Sequence, residues 1–416
     1  MRRTTERTAW AVLWAAFITF CLLLVGLPGA GYWFVQNAME EQAIAIAAGD
    51  GVLVTRPGRS VPEANLESIP PGSVISTGTG DQTTLTFLSP DGRETLASVQ
   101  LFGDTRVTVA TAESPRFQWG VHPHHIQLNI DTGRIQIFSI QGISRPVEIG
   151  ILSPLNVHSL ITTTGTIASV DVSSPQKTIT TVLAGQALIA ANGGALQLQN
   201  GQLAEVGANL TPRLAPTTER DLIVNGDFQQ PFTVGWATDI RPPADPNEKP
   251  GDVLRIVLEG RRAIQFIRSG SNFGQVGILQ QVNRDVRGFK SLRLRLDVFL
   301  SVQDLSNCGQ YGSECPIMVK IVYTNARGDA NEWVQGFYYR SIPGQGLTQC
   351  VSCAGPRTEH IQVPQGQWRT YELQDNLLAV LSSITDQVVM IKSITIYASG
   401  HTFNSYVAQV QLLASE

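Results

Sequence analysis

Charge is scarce in this 416-residue chain: Asp, Glu, Lys and Arg make up 15% of it, and the formal net charge is −4. With no basic surplus to neutralise a phosphate backbone, no nucleic-acid partner is expected. Catalytic signatures are missing as well. The sequence holds no Gly-x-Ser-x-Gly elbow, no His-Glu-x-x-His pair, no phosphate-binding loop and no dinucleotide fingerprint. Histidines number six, and the one concentration, His122, His124 and His125 in WGVHPHH, reads either as a transition-metal set or as an exposed loop around Gly120 and Pro123. A non-enzyme is expected.

Long apolar runs are absent after residue 35, and one stands before it. Residues 9–27 (AWAVLWAAFITFCLLLVGL) continue through Pro28 to Val35, enough to cross a bilayer as a helix. Arg2, Arg3 and Arg7 precede the run and Glu40 and Glu41 follow it, so the positive-inside rule leaves residues 1–8 as a cytoplasmic stub. Residues 9–35 then form a single-pass anchor, and the rest of the chain is exported to the periplasm or cell surface. A cleaved signal would need a small-x-small site, and Pro28-Gly29-Ala30 lacks its first small residue. Lipidation at Cys21 would need a small residue before it, where Phe20 stands. Residues 36–48 (QNAMEEQAIAIAA) read as a juxtamembrane segment continuing the helix.

The exported part has 38 Gly and 22 Pro in the whole chain to draw turns from, and it is rich in Val, Ile, Thr and Leu. That mixture favours many short strands, and the expected fold class is all-β. Four cysteines, Cys308, Cys315, Cys350 and Cys353, fall within 46 residues. Outside the membrane an even count reads as two disulfides. Zinc is the rival, because Cys350 and Cys353 have knuckle spacing, yet six residues separate Cys308 from Cys315.

From residue 49 onward the apolar pattern has period two, with a strong turn at Ser89-Pro-Asp-Gly92. GDGVLV (49–54), IPPGSVISTG (69–78) and PDG (90–92) resemble the FecR domain of bacterial envelope proteins. So do DTGRI (131–135), TGTIA (164–168), TVLAGQA (181–187) and NGQ (200–202). The resemblance implies a β-domain over residues 49–207. Members of that family are best known as sigma-factor regulators acting through a cytoplasmic segment, and eight residues are too few for that role. Residues 208–220 (ANLTPRLAPTTER) read as a linker.

Residues 221–228 (DLIVNGDF), followed by Gly235-Trp236, resemble the opening of galactose-binding-like jelly rolls, including many carbohydrate-binding modules. GILQQV (277–282), the alternating strand 292–300 and QWRTY (367–371) follow in that family's order, and residues 221–416 are assigned to such a domain. Many members hold a structural calcium. Here Asn225 and Asp227 remain, but the last strand (VAQVQL, 407–412) has no carboxylate, so the two residues serve either calcium or the entry turn.

Three groups of residues are candidates for ligand contact. Alternation along WVQGFYY (333–339) puts Trp333, Phe337 and Tyr339 on one face, as a sugar-stacking platform or as core. Alternation along 292–300 turns Arg293, Arg295 and Asp297 away from the leucines, so the arginines either grip an anion or pair across a solvated face. Lys320 is expected to join them. The reading is an anchored, exported, non-catalytic protein recognising an envelope or extracellular glycan. Its alternative is an assembly component whose jelly roll binds a protein partner; a FecR-type envelope signal regulator is the third reading.

Overall fold

The computed structural model describes residues 2–416 apart from 48, 50, 175, 217–218, 307, 312, 342–349, 351, 353–358 and 384–385. The chain is mostly β-structure behind one long N-terminal helix, Arg2–Asn37. Residues 7–37 of that helix are long and apolar enough to cross a membrane, and their apolar window is entirely unburied within the chain. The Thr19 hydroxyl donates to the Ala15 carbonyl at 2.8 Å, so the one polar side chain in residues 9–27 is satisfied inside the helix. The chain divides into two compact units, Met1–Pro216 and Thr217–Glu416.

The helix stops at Asn37, which corrects the expectation of a helical continuation through residue 48. Met39–Glu41 and Ala43–Ile46 are strands, paired with Arg106–Pro115 and Thr83–Leu88. Gln42, Ile44 and Ile46 are buried at a spacing of two. The alanines between them suit a helix locally, but the period-two burial decides the outcome.

The DTG at 131–133 does not separate two strands. Both sides belong to one long strand, His124–Ser139. Its first half pairs with Arg106–Pro115 and with Val147–Ser153, and its second half with Thr95–Leu101 and Ile167–Ser174. The strand changes layer at a register shift between Ile130 and Thr132, next to Gly133 at φ +90°. A Cβ on Gly133 would stand 2.4 Å from the Thr105 Cα, so only glycine fits where the chain bends. Val107, Val109, Leu128, Ile137, Val170 and their neighbours fill the space between the layers.

In the second unit two sheets face each other. One runs Asp252–Leu258, Arg261–Arg268, Phe403–Ser415, Ser291–Gln303, Arg369–Glu372. The other runs Ala237–Arg241, Gly274–Asp285, Val388–Gly400, Ile317–Asn325, Ala330–Tyr338, Ile361–Gln362. Leu292, Leu294, Leu296 and Val298 from the first meet Ile317, Val319, Ile321, Trp333 and Phe337 from the second. The expected linker is partly structured: Arg213–Leu214 pairs with Gln202–Gly207, and Arg220–Asp221 pairs with Phe403–Ser415.

Candidate functional site

Trp333 and Phe337 correct the first site expectation. Both are 0% exposed and lie in the core between the sheets. Tyr339 is half-buried, and its hydroxyl accepts the Gln303 backbone N–H at 2.9 Å. The alternation along Ala330–Tyr338 is as expected, but the large rings face inward. Both parities of this strand carry an aromatic, so the sequence did not reveal which side the second sheet would cover.

The arginine face divides. Arg293 and Arg295 are on the outer side of the first sheet, whereas Lys320 stands on the other sheet, in Ile317–Asn325. Arg293 is held by Glu219 at 2.6 Å and by Glu372. Asp297 takes Arg261 and, at 2.6 Å, the Thr370 hydroxyl. Arg261 reaches Asp297 across the intervening strand over Ala263 and Ala408, both fully buried, with its guanidinium 5.2 Å from the Trp368 ring centroid. Phe299 packs against Trp368 and Tyr406 at 5.4 and 5.5 Å. Arg295 alone of the two arginines is exposed. Opposite charges on this face are consumed by one another.

The outer side of the second sheet is arranged differently. Register places Asp239 beside Gly277, Gly277 beside Tyr397, and Tyr397 beside Met318. Lys320 lies between Thr395 and Val334, and Glu332 beside Val322. A Cβ on Gly277 would stand 2.5 Å from the Tyr397 Cβ, so this glycine leaves Tyr397 its room. Lys320 Nζ is 6.0 Å from the Tyr397 ring centroid. Gln275 donates to Asp239 at 2.8 Å and fixes that carboxylate. Burial first, then Glu332, push the Tyr397 phenol well above its ordinary pKa, opposed by Arg241. It therefore stays protonated, a neutral hydroxyl, at neutral pH.

The side chains of Arg241, Lys320 and Glu332 make no ion pair or hydrogen bond among the described residues. One end of the face is walled. Cys308, Cys315 and Cys350 pack on Met318, Val334, Tyr338 and Tyr397, and Cys308 is disulfide-bonded to Cys315. A Cβ on Gly336 would come within 2.7 Å of the Cys308 sulfur, which is why the wall can sit directly on the sheet. The disulfide replaces the zinc alternative at this pair. Cys350 is also disulfide-bonded, and Cys353 lies outside the described residues.

Two further expectations are placed. Asn225 Nδ2 donates to the carbonyls of Gln230, Pro231 and Val234 at 3.4, 3.0 and 3.2 Å, and Asp227 accepts the Gln229 N–H at 3.2 Å. Both residues close the entry turn. The histidines do not converge: His122 meets Asn37, His125 lies 4.0 Å from Glu148, and His124 points inward to the Ser114 hydroxyl at 2.7 Å. No group of three His, Cys, Asp or Glu able to hold a metal ion occurs among the described residues.

Burial holds His124 below the usual imidazole pKa, aided by Arg145. The native state therefore keeps it neutral, while the unfolded chain takes up the proton below about pH 6.5. Stability contributed here is present above that pH and is lost on acidification towards the lowered native value. The thermal midpoint of the first unit should fall between pH 7 and pH 5, and less so in His124→Gln. An equal fall in both proteins would exclude His124 as the cause.

No family model matches the chain, and no curated protein sequence matches it. Among solved structures, a family 11 carbohydrate-binding module from a cellulosomal cellulase of Clostridium thermocellum is similar to 47% of this chain over 95% of its own length. The identity is 15% and the TM-score 0.27. A proposed anti-sigma factor from Parabacteroides distasonis is similar to 41% of this chain over 68% of its own, at 14% identity and TM-score 0.26. The enzymatically active domain of tailspike protein 4 from bacteriophage CBA120 is similar to 47% of this chain over 21% of its own, at 11% identity and TM-score 0.27.

Proposed function

We propose that this is a membrane-anchored, extracytoplasmic, non-catalytic binding protein whose second unit holds a neutral, hydroxyl-rich glycan. The ligand face is the outer side of the sheet carrying Asp239, Arg241, Lys320 and Glu332, with Gln275 and Tyr397 buried beneath them. The observation that carries this reading is a cluster of charges that do not pair with one another on a face walled at one end. Sugar hydroxyls both donate and accept, so two cations and two carboxylates on one face match them. A polyanion would meet Asp239 and Glu332, whose charges offset Arg241 and Lys320. The N-terminal helix serves as the anchor, and the first unit, FecR-like in its sequence pattern, as a spacer.

The test is a glycan array probed with the full-length protein in detergent micelles. Lys320→Ala and Glu332→Ala should each weaken binding about tenfold or more, since a hydrogen bond to a charged group contributes about 1.5–3 kcal/mol. Arg295→Ala, on the opposite sheet, should leave binding unchanged. Silence across the array from folded protein would sink the glycan reading and favour a protein partner at this face.

A further inference from the structure

The loop at residues 116–122 (RFQWGVH) stands out because it presents large apolar side chains outward from a well-packed β-unit. Trp119 is 78% exposed and Val121 68%. This is not a loose tip. Arg145 reaches across and donates to the carbonyls of Gln118 at 2.8 Å, His122 at 2.9 Å and Gly120. One guanidinium thereby gathers three backbone acceptors on the inner side of the loop, and the Trp119 and Val121 side chains are left outside. A Cβ on Gly120 would approach the Pro115 Cβ to 2.8 Å, so the tight turn between them depends on glycine.

The loop lies against the last turns of the N-terminal helix. Arg116 N–H donates to the Ala38 carbonyl at 2.9 Å, and Val121 N–H to the Gln36 carbonyl at 3.2 Å. His122 Nε2 is 2.9 Å from Asn37 Oδ1, and the Phe34 and Phe117 rings meet edge to face at 6.1 Å. The helix end beside it exposes Tyr32 and Trp33, 69% and 68%. Residues 9–35 would span about 40 Å at ~1.5 Å per residue. That exceeds a hydrocarbon core of about 30 Å, so the final turns stand in the headgroup layer. Tryptophan and tyrosine partition into that layer, where the ring is shielded and the N–H or O–H stays wet.

We propose that residues 116–122 form a membrane-docking loop that seats Trp119 and Val121 in the lipid interface beside the helix. The occupant is the bilayer itself, because the loop is hydrogen-bonded to the segment that leaves it. The helix and the loop then make two adjoining contacts with one surface and hold the first unit against the membrane. Arg116, 5.9 Å from the Phe117 ring centroid, adds a cation at the level of anionic headgroups. The proposal rests on the helix being a retained anchor.

The experiment uses the full chain in nanodiscs of phosphatidylcholine and phosphatidylglycerol, in a Cys21→Ser background with the disulfides intact. An environment-sensitive fluorophore is placed on Val121→Cys in one sample and on Trp33→Cys in another, and a headgroup-level spin-labelled lipid is added as quencher. Both labels should lose intensity by roughly twofold or more if both occupy the interface. Quenching at position 33 with none at position 121 overturns the docking loop and leaves the anchor standing. No quenching at either position removes the anchor reading, and the docking loop falls with it.

Discussion

Trp333→Ala should destabilise the second unit by about 3–5 kcal/mol, the cost of emptying a buried aromatic site. Trp333 is fully buried among Ile321, Leu296 and their neighbours in the core between the sheets. Urea unfolding reads the loss as a lower midpoint at an unchanged slope. Trp333→Phe should be far milder. The indole N–H is buried without an acceptor among the described residues, so the smaller ring removes a donor whose burial already costs about 1–3 kcal/mol. Folded Trp333→Phe should also bind glycan like the parent. Reduced binding in a protein with parental stability would return Trp333 to the ligand site and overturn the assignment of the outer face.

Arg268→Ala should cost a similar amount, about 3–5 kcal/mol, by the mechanism that operates when one member of a buried ionic network is removed. The Arg268 side chain is wholly buried and donates to the carbonyls of Gly400, at 2.9 Å, and His401, and to Glu248 at 2.9 Å. It ties Arg261–Arg268 to the chain between Val388–Gly400 and Phe403–Ser415, where one sheet passes into the other. Cβ atoms on Gly270 and Gly274 would stand 2.7 and 2.5 Å from the guanidinium, so the two glycines form the channel it occupies. Alanine would leave the Gly400 and His401 carbonyls without this donor and remove the countercharge of Glu248, which keeps the Ser271 and Asn272 N–H groups. Hydrogen-exchange protection should fall most across Gly274–Asp285 and Phe403–Ser415. Unchanged protection there would show that water replaces the guanidinium without loss.

These two residues show where sequence reading stops. The strict alternation at 292–300 announced a half-buried strand, and the structure has it as Ser291–Gln303. The GILQQV and VAQVQL segments likewise fall within long strands, Gly274–Asp285 and Phe403–Ser415. Nothing local marks Arg268 as buried, because its partners Gly400 and His401 lie more than 130 residues away. Lys320 was singled out from sequence, but Asp239, Arg241, Gln275, Glu332 and Tyr397 were not. They come from four strands spread over some 160 residues, and only sheet register brings them together.

What the sequence determined by itself is what depends on neighbouring residues. The apolar length of the helix, the period-two strands, the turn glycines and the order of the elements are written in short windows. The tertiary structure decided the facing of each strand, because a strand with apolar residues on both parities has no preferred side until a second sheet covers one. It also decided which charges are spent. Arg293 and Asp297 could grip a ligand or pair by sequence, and the structure pairs them, while Lys320, expected beside them, shares a face with Glu332 and pairs with no side chain among the described residues. Pairing is a property of distance in space, which residue order does not carry.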